Sequence, residues 1–211
     1  MTWEAYSSAW AALHGGVDPR TAAPLIRGWV RFAYRGGSLL ARYGVGPWAV
    51  TLVGLLLSVA VPVVGPLAGA VLVVAASVAD SFDGAVAVIS GKTSRLGYVA
   101  DSVADRIGEA AWLVAFWLAG AYGPVVVAAG AVSWLHEYAR ARATAAGMTE
   151  IGAVTVAERP TRVILAAATL LVAGLLGRPV VGTVGAAVWL VLALVGVVQL
   201  GVAIVRALSA R

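Results

Sequence analysis

Four aspartates stand inside stretches that are otherwise apolar: Asp80 and Asp83 within 67–89, and Asp101 and Asp105 within 97–119. An uncompensated acid near the middle of a bilayer costs about 2.5–3.5 kcal/mol, so four cost roughly 10 kcal/mol. Metal, protonation, water or cationic partners must offset that cost. The spacing points to metal. Asp80 and Asp83 are three residues apart and Asp101 and Asp105 four apart, so each pair shares one face of a helix. With the two stretches folded as an antiparallel hairpin about the loop 90–96, a rise of about 1.5 Å per residue sets Asp83 and Asp80 roughly 10 and 15 Å inward from Ser90. The same rise sets Asp101 and Asp105 roughly 6 and 12 Å inward from Gly97. The carboxylates can therefore converge at similar depth. An all-oxygen set suits Mg²⁺ or Mn²⁺, and Ca²⁺ less specifically. Four carboxylates can bridge two such ions, an arrangement suited to phosphate chemistry. Gly84 and Gly97 flank the acids. Two readings are open for them: close approach of a ligand to the backbone, or plain helix packing in a membrane.

The elements that must carry these acids are apolar helices. Of 211 residues, 61% are hydrophobic and 12% charged, where soluble domains carry about 25% charged residues. Six stretches are long enough or nearly so for a bilayer core of about 20 residues per helix: 45–64, 67–89, 97–119, 124–146, 161–177 and 180–205. The expected fold class is an all-α integral membrane protein with six transmembrane helices, preceded by a basic amphipathic interfacial helix. Residues 1–44 form the N-terminal lead and 45–211 a catalytic transmembrane domain. Within the lead, residues 1–17 read as mixed and weakly structured. Residues 18–42 place Arg27, Arg31 and Arg35 on one helix face among Leu25, Ile26, Trp29 and Phe32, with Gly36 and Gly37 as local weak points. Several tryptophans, among them Trp29, Trp48, Trp112, Trp117 and Trp134, suit interfacial belts.

Charge sets the orientation. Lys92, Arg95, Arg140, Arg142, Arg159, Arg162, Arg206 and Arg211 fall on one side, while the turns at 65–66 and 120–123 carry no basic residue and the turn near 178 carries only Arg178. The positive-inside rule then puts both termini and the acid cluster on the cytoplasmic side of the cell membrane. The net charge of +5 does not imply nucleic acid, because the basic residues border apolar runs and suit anionic head groups or phosphorylated substrates. The chain has no cysteine and two histidines. Disulfides, thiolate metal sites and a cysteine nucleophile are excluded, and a His-rich zinc site is argued against.

The segments Asp80-Ser-Phe-Asp83-Gly84-Ala-Val-Ala87 and Gly97-Tyr-Val-Ala-Asp101-Ser-Val-Ala-Asp105-Arg106 resemble the signature of the CDP-alcohol phosphotransferase (CDP-alcohol phosphatidyltransferase) family, D-x2-D-G-x2-A-R-x8-G-x3-D-x3-D. Seven positions keep the family's spacing. The resemblance implies transfer of a phosphatidyl or substituted phosphate group from a CDP-linked lipid donor to an alcohol acceptor, with release of CMP. It implies that Asp80, Asp83, Asp101 and Asp105 ligate the metal, and that Asp105 is also general base on the acceptor hydroxyl. It implies that Gly84, Ala87 and Gly97 line the cytidine pocket, and that the protein is a homodimer. The family's arginine after Ala87 is Val88 here. Three readings follow: Lys92, Arg95 or Arg106 covers the nucleotide charge, the donor is modified, or the chain is a weak or silent member.

An acceptor site is expected at the end of the fourth helix and the start of the fifth, where His136, Arg140, Arg159 and Arg162, with Arg106 of the third, could hold a phosphorylated alcohol. Glu158-Arg159-Pro160-Thr161-Arg162 resembles a basic segment of actinobacterial phosphatidylinositol phosphate synthases. Positive-inside anchoring explains Arg142 and Arg162 equally well. A cation-transport protein is the rival class, since intramembrane acids also line ion paths. It explains the acids but not the glycine and alanine at the family's spacing.

Overall fold

The structure, a computed structural model, describes residues 1–148 and 154–209. The expected basic tail residue Arg211 lies outside the described residues, which are helical, with no strand among them. Among the described residues eight α-helices follow in order: α1 Trp3–Leu13, α2 Pro24–Arg42, α3 Pro47–Ala60, α4 Pro66–Ile89, α5 Arg95–Leu118, α6 Gly123–Ala145, α7 Arg159–Leu176 and α8 Pro179–Ser209, with a 3₁₀ turn Val61–Val63 after α3. Each of the six apolar stretches is helical. Proline stands at the N-terminal end of several of these helices, where its missing N–H costs nothing.

Of these helices α4, α7 and α8 are long and apolar enough to cross a membrane, and α2 with α3, bent by 117° at the break between them, makes up to four. The helices α5 and α6 fall short on composition, because Asp101, Asp105, Arg106 and Glu109 interrupt one, and Glu137, Arg140 and Arg142 the other.

The chain divides into two compact units. The first is Met1–Leu57 with Ala75–Asp105. Here α1 corrects the expectation of a weakly structured lead. Its first turn is capped by the Thr2 hydroxyl, which accepts from the Ala5 N–H at 3.3 Å. Its aromatic residues then find partners that their sequence neighbours do not reveal. Trp3 and Tyr6 stack edge-on or tilted against Tyr34 of α2, and the Arg31 guanidinium lies 5.3 Å over the Trp3 ring. Burial pushes the Tyr6 phenol up to about 12. Arg20 belongs to the turn before α2 and pairs with Asp18 at 2.7 Å, which trims the expected basic helix to Pro24–Arg42.

Gly36 and Gly37 are not weak points. A Cβ on Gly37 would lie 2.6 Å from the Ala85 Cβ, and one on Gly36 would strike the Phe82 ring. The two glycines let α2 approach α4 at backbone distance, while Arg27, Arg31 and Arg35 stay exposed. Val50, Ala79 and Val86 form a second small core between α3 and α4.

The second unit is Ser58–Val74 with Arg106–Arg211. Its core contains Val73, Trp112, Phe116, Leu170 and Trp189. Trp112 is 1% exposed and so departs from the expected interfacial belt. Trp29, Trp48, Trp117 and Trp134 are exposed. Trp189 is also buried and donates from Nε1 to Ser133 Oγ at 2.9 Å, the partner a buried indole needs.

Candidate metal centre

The hairpin that carries the acids is set by local chemistry. The helix α4 stops where Gly91 takes φ 65°, a left-handed conformation that glycine adopts without steric penalty. The Lys92 N–H then closes back onto the Ala87 carbonyl at 2.9 Å, satisfying a carbonyl left over at the helix end. Four residues later α5 begins, with the Ser94 hydroxyl accepting from the Gly97 N–H at 3.0 Å, as an N-cap does. Gly97 therefore has a structural reason too, since a Cβ there would lie 3.0 Å from Ser94 Oγ.

Within this hairpin Asp80, Asp101 and Asp105 each offer a carboxylate oxygen, and these oxygens all lie within 4.8 Å of one another. Two oxygens on opposite sides of one Mg²⁺ stand about 4 Å apart, so the three side chains reach a common ion with a shift of under about an ångström. The donor set is all oxygen, half-buried and formally −3, which fits a hard divalent cation and no soft one. Asp83, one turn beyond Asp80, is 6% exposed, and its Oδ2 accepts from the Thr51 hydroxyl of α3 at 2.7 Å. Thr51 was not singled out by the sequence. Its signal, a lone hydroxyl in the apolar run Pro47–Ala60, looks like any tolerated threonine.

The remaining expected nucleotide residues are placed as follows. Gly84 is exposed, and nothing lies within 4 Å of where its Cβ would be. Packing against the described residues of this chain therefore does not account for this glycine. Ala87 is half-buried, and Lys92 and Arg95 are exposed on the turn. Val88 packs against the apolar cluster of Tyr6, Val30, Ala33 and Ala85, so the position of the family's arginine is part of the α1–α2–α4 core.

The second unit gathers most of the expected acceptor residues into a charge-balanced network. Arg106 Nη2 donates to Glu109 Oε1 at 3.0 Å and its Nη1 lies 3.0 Å from Glu137 Oε1. Arg162, 4% exposed, donates to Glu109 Oε2 at 3.0 Å and to Glu137 Oε1 at 2.6 Å. Two arginines thus share two glutamates from α5 and α6. His136 is fully buried; its Nε2 lies 3.2 Å from Thr155 Oγ1, so it braces the segment before α7. Glu158 Oε1 accepts from Arg140 Nη2, and from the Thr155 hydroxyl at 2.9 Å. Arg159 is half-buried at the first turn of α7. Glu109 and Glu137 were missed as partners. Glu109 stands three residues after Arg106, a visible spacing, but its bond to Arg162 spans 53 residues and has no local signal.

Truncating one member of a buried ion pair leaves its partner uncompensated, at about 3–5 kcal/mol. Arg162→Ala is accordingly expected to lower stability by about that amount, measured as the thermal midpoint of the purified protein in detergent. An unchanged midpoint would mean that the network does not hold the helices of this unit together.

Three comparisons bear on this arrangement. The family model described as CDP-alcohol phosphatidyltransferase matches residues 45–204. The structure of Mycobacterium tuberculosis phosphatidylinositol phosphate synthase (PgsA1) with CDP-DAG bound is similar at a TM-score of 0.70 and 28% identity, over 83% of this chain and 94% of that one. The same enzyme in complex with manganese and citrate is similar at 0.69 and 28%, over 82% and 88%. No curated protein matches significantly by sequence. The family model spans the acid hairpin and most of the helices around it, and the acids stand at the spacing of the family signature. This chain belongs to the CDP-alcohol phosphatidyltransferase family.

Proposed function

We propose that the protein is a divalent-metal-dependent phosphotransferase that moves a phosphatidyl group from CDP-diacylglycerol, or a close CDP-linked lipid, to an alcohol, releasing CMP. The observation that carries this is the convergence of Asp80, Asp101 and Asp105 within 4.8 Å in a chain whose family transfers such groups. The manganese complex of the M. tuberculosis enzyme supports a divalent ion, and the CDP-DAG complex supports the donor.

The residues have separable tasks. Asp80, Asp83, Asp101 and Asp105 would hold Mg²⁺ or Mn²⁺, as one or two ions. A cation bound there would neutralise the donor diphosphate and make CMP a better leaving group. Asp105 takes the proton from the acceptor hydroxyl as its oxygen attacks the phosphorus of the phosphatidyl group. Gly84, with open space before it, admits the nucleotide to the helix backbone alongside Ala87 and Gly97. Lys92 and Arg95 supply the positive charge that Val88 does not. Among the acceptor candidates, Arg140 and Arg159 are the cations for a phosphate on the alcohol, and Arg106, Arg162 and His136 hold their surroundings in place. All six helices α3–α8 would cross the membrane, with α2 at the interface, both termini cytoplasmic and the protein a homodimer.

The test is CMP release from CDP-diacylglycerol by purified protein with Mg²⁺ or Mn²⁺, against a panel of neutral and phosphorylated alcohols. Acceptor-dependent release is expected, and release equal with and without acceptor would contradict transfer. Val88→Arg separates the active reading from the silent one. It would force a guanidinium against the cluster around Tyr6 and Ala85, so a lower thermal midpoint and no gain in rate are expected. A variant that gains activity from a near-zero background would show instead that the wild-type chain is a silent member.

A further inference from the structure

Thr51 stands outside the family motif and touches one of its acids. Its hydroxyl hydrogen bonds to Asp83 Oδ2 at 2.7 Å across 32 residues of sequence. The same oxygen lies 3.1 Å from the Pro47 carbonyl, the ordinary resting place of a threonine hydroxyl within a helix. It has one proton and two acceptors. The shorter contact goes to the carboxylate, the stronger acceptor of the two.

A second feature holds the two helices in that register. Gly54, one turn after Thr51, lies so close to α4 that its Cβ would sit 3.4 Å from the Ala79 Cβ, 3.5 Å from the Ala76 carbonyl oxygen and 3.9 Å from the Asp80 backbone nitrogen. Val50, beside Thr51, packs into the core that Ala79 and Val86 share. One face of α3, from Val50 to Gly54, is thus laid against the turn of α4 that carries Asp80 and Asp83. Gly54 sets the distance and Thr51 makes a polar bond across it.

We propose that Thr51 is a positioning residue for the metal centre. Asp83 stands outside the group formed by Asp80, Asp101 and Asp105; by occupying its Oδ2, Thr51 fixes the carboxylate rotamer and leaves the other oxygen for a cation, so that Asp83 would join the three as a ligand without a conformational search. Partners that orient ligating carboxylates change metal affinity by about 10–100-fold. The inference rests on the metal-dependent reading above, and metal binding tests it independently of turnover.

The experiment titrates the purified protein with Mn²⁺ alone, following the free-ion signal by electron paramagnetic resonance, for wild type, Thr51→Val, Thr51→Ser and Thr51→Ala. Thr51→Val keeps the shape and removes the hydroxyl; it is expected to weaken Mn²⁺ binding by about 10–100-fold and to raise the Mn²⁺ concentration for half-maximal CMP release in step. Thr51→Ser keeps the hydroxyl and is expected to bind within about threefold of wild type, with Thr51→Ala matching Thr51→Val. Equal affinity for wild type and Thr51→Val, or equal loss in Thr51→Ser and Thr51→Val, would overturn the proposal, since packing rather than the hydrogen bond would then explain Thr51. Should Thr51→Val not fold, the Ser and Ala pair decides on the same terms. Wild type that binds no Mn²⁺ would overturn the metal-dependent function itself, a result distinct from either of these.

Discussion

Asp105→Asn is expected to lower acceptor-dependent CMP release by about 10²–10⁴-fold, the usual contribution of a positioned general base. The substitution keeps the side chain's shape and one oxygen, so the helix α5 and its capped start at Ser94 are left intact. What it removes is the ability to accept a proton. The three carboxylates that meet at this point are not equivalent in the reading proposed here. Asp80→Asn should mainly raise the Mn²⁺ concentration needed for half-maximal rate, while Asp105→Asn should hold the rate down even when Mn²⁺ is saturating. Rates for the two variants that converge at high Mn²⁺ would assign Asp105 a ligand's role only and would leave the acceptor hydroxyl without its base.

Removing divalent ions should have an effect as large and of a different kind. Three carboxylate oxygens held within 4.8 Å repel one another, and they also repel the diphosphate of a CDP-linked donor. Without a cation the cluster excludes the very substrate it serves, so no transfer is expected in excess chelator, with recovery on adding Mg²⁺ or Mn²⁺. The same electrostatics predicts a stability signature. A ligand that binds only the folded state stabilises it by about 2.7 kcal/mol at 100 times its dissociation constant, so the thermal midpoint should climb with Mn²⁺. Asp101→Asn should lose that climb while melting no lower than wild type in chelator, because one of the repelling charges is gone. Turnover that persists undiminished in chelator would sink the mechanism; a midpoint indifferent to Mn²⁺ in a protein that still turns over would move the ion's place to the bound donor.

The buried network of the second unit bears on what acceptor the protein can take. Glu109 and Glu137 neutralise Arg106 and Arg162, and Glu158 accepts from Arg140. On the acceptor site proposed above, a phosphorylated alcohol would have to compete with glutamates already in place, whereas a neutral polyol would not. Comparing both kinds of alcohol in the CMP assay measures that competition directly.

The amino-acid sequence by itself determined the parts of this protein that are local. Six apolar stretches became helices because a helix satisfies each segment's backbone groups within the segment itself. The acids at three- and four-residue spacing fell on common faces because the helical repeat is 3.6 residues. The hairpin between α4 and α5 closed where Gly91 and Ser94 stand, since one adopts the left-handed turn and the other caps the next helix. Tertiary structure alone decided the rest. The α1 helix exists because Trp3 and Tyr6 find Tyr34, and Gly36 and Gly37 matter because α2 meets Phe82 and Ala85. Asp83 is held by Thr51 and Arg162 by Glu109 across 32 and 53 residues. No local pattern encodes such pairs, because which residues meet depends on where two helices cross, and that is set by side-chain volumes summed along both. The sequence carried the chemistry in its spacing, and the crossing of the helices chose which side chains hold that chemistry in position.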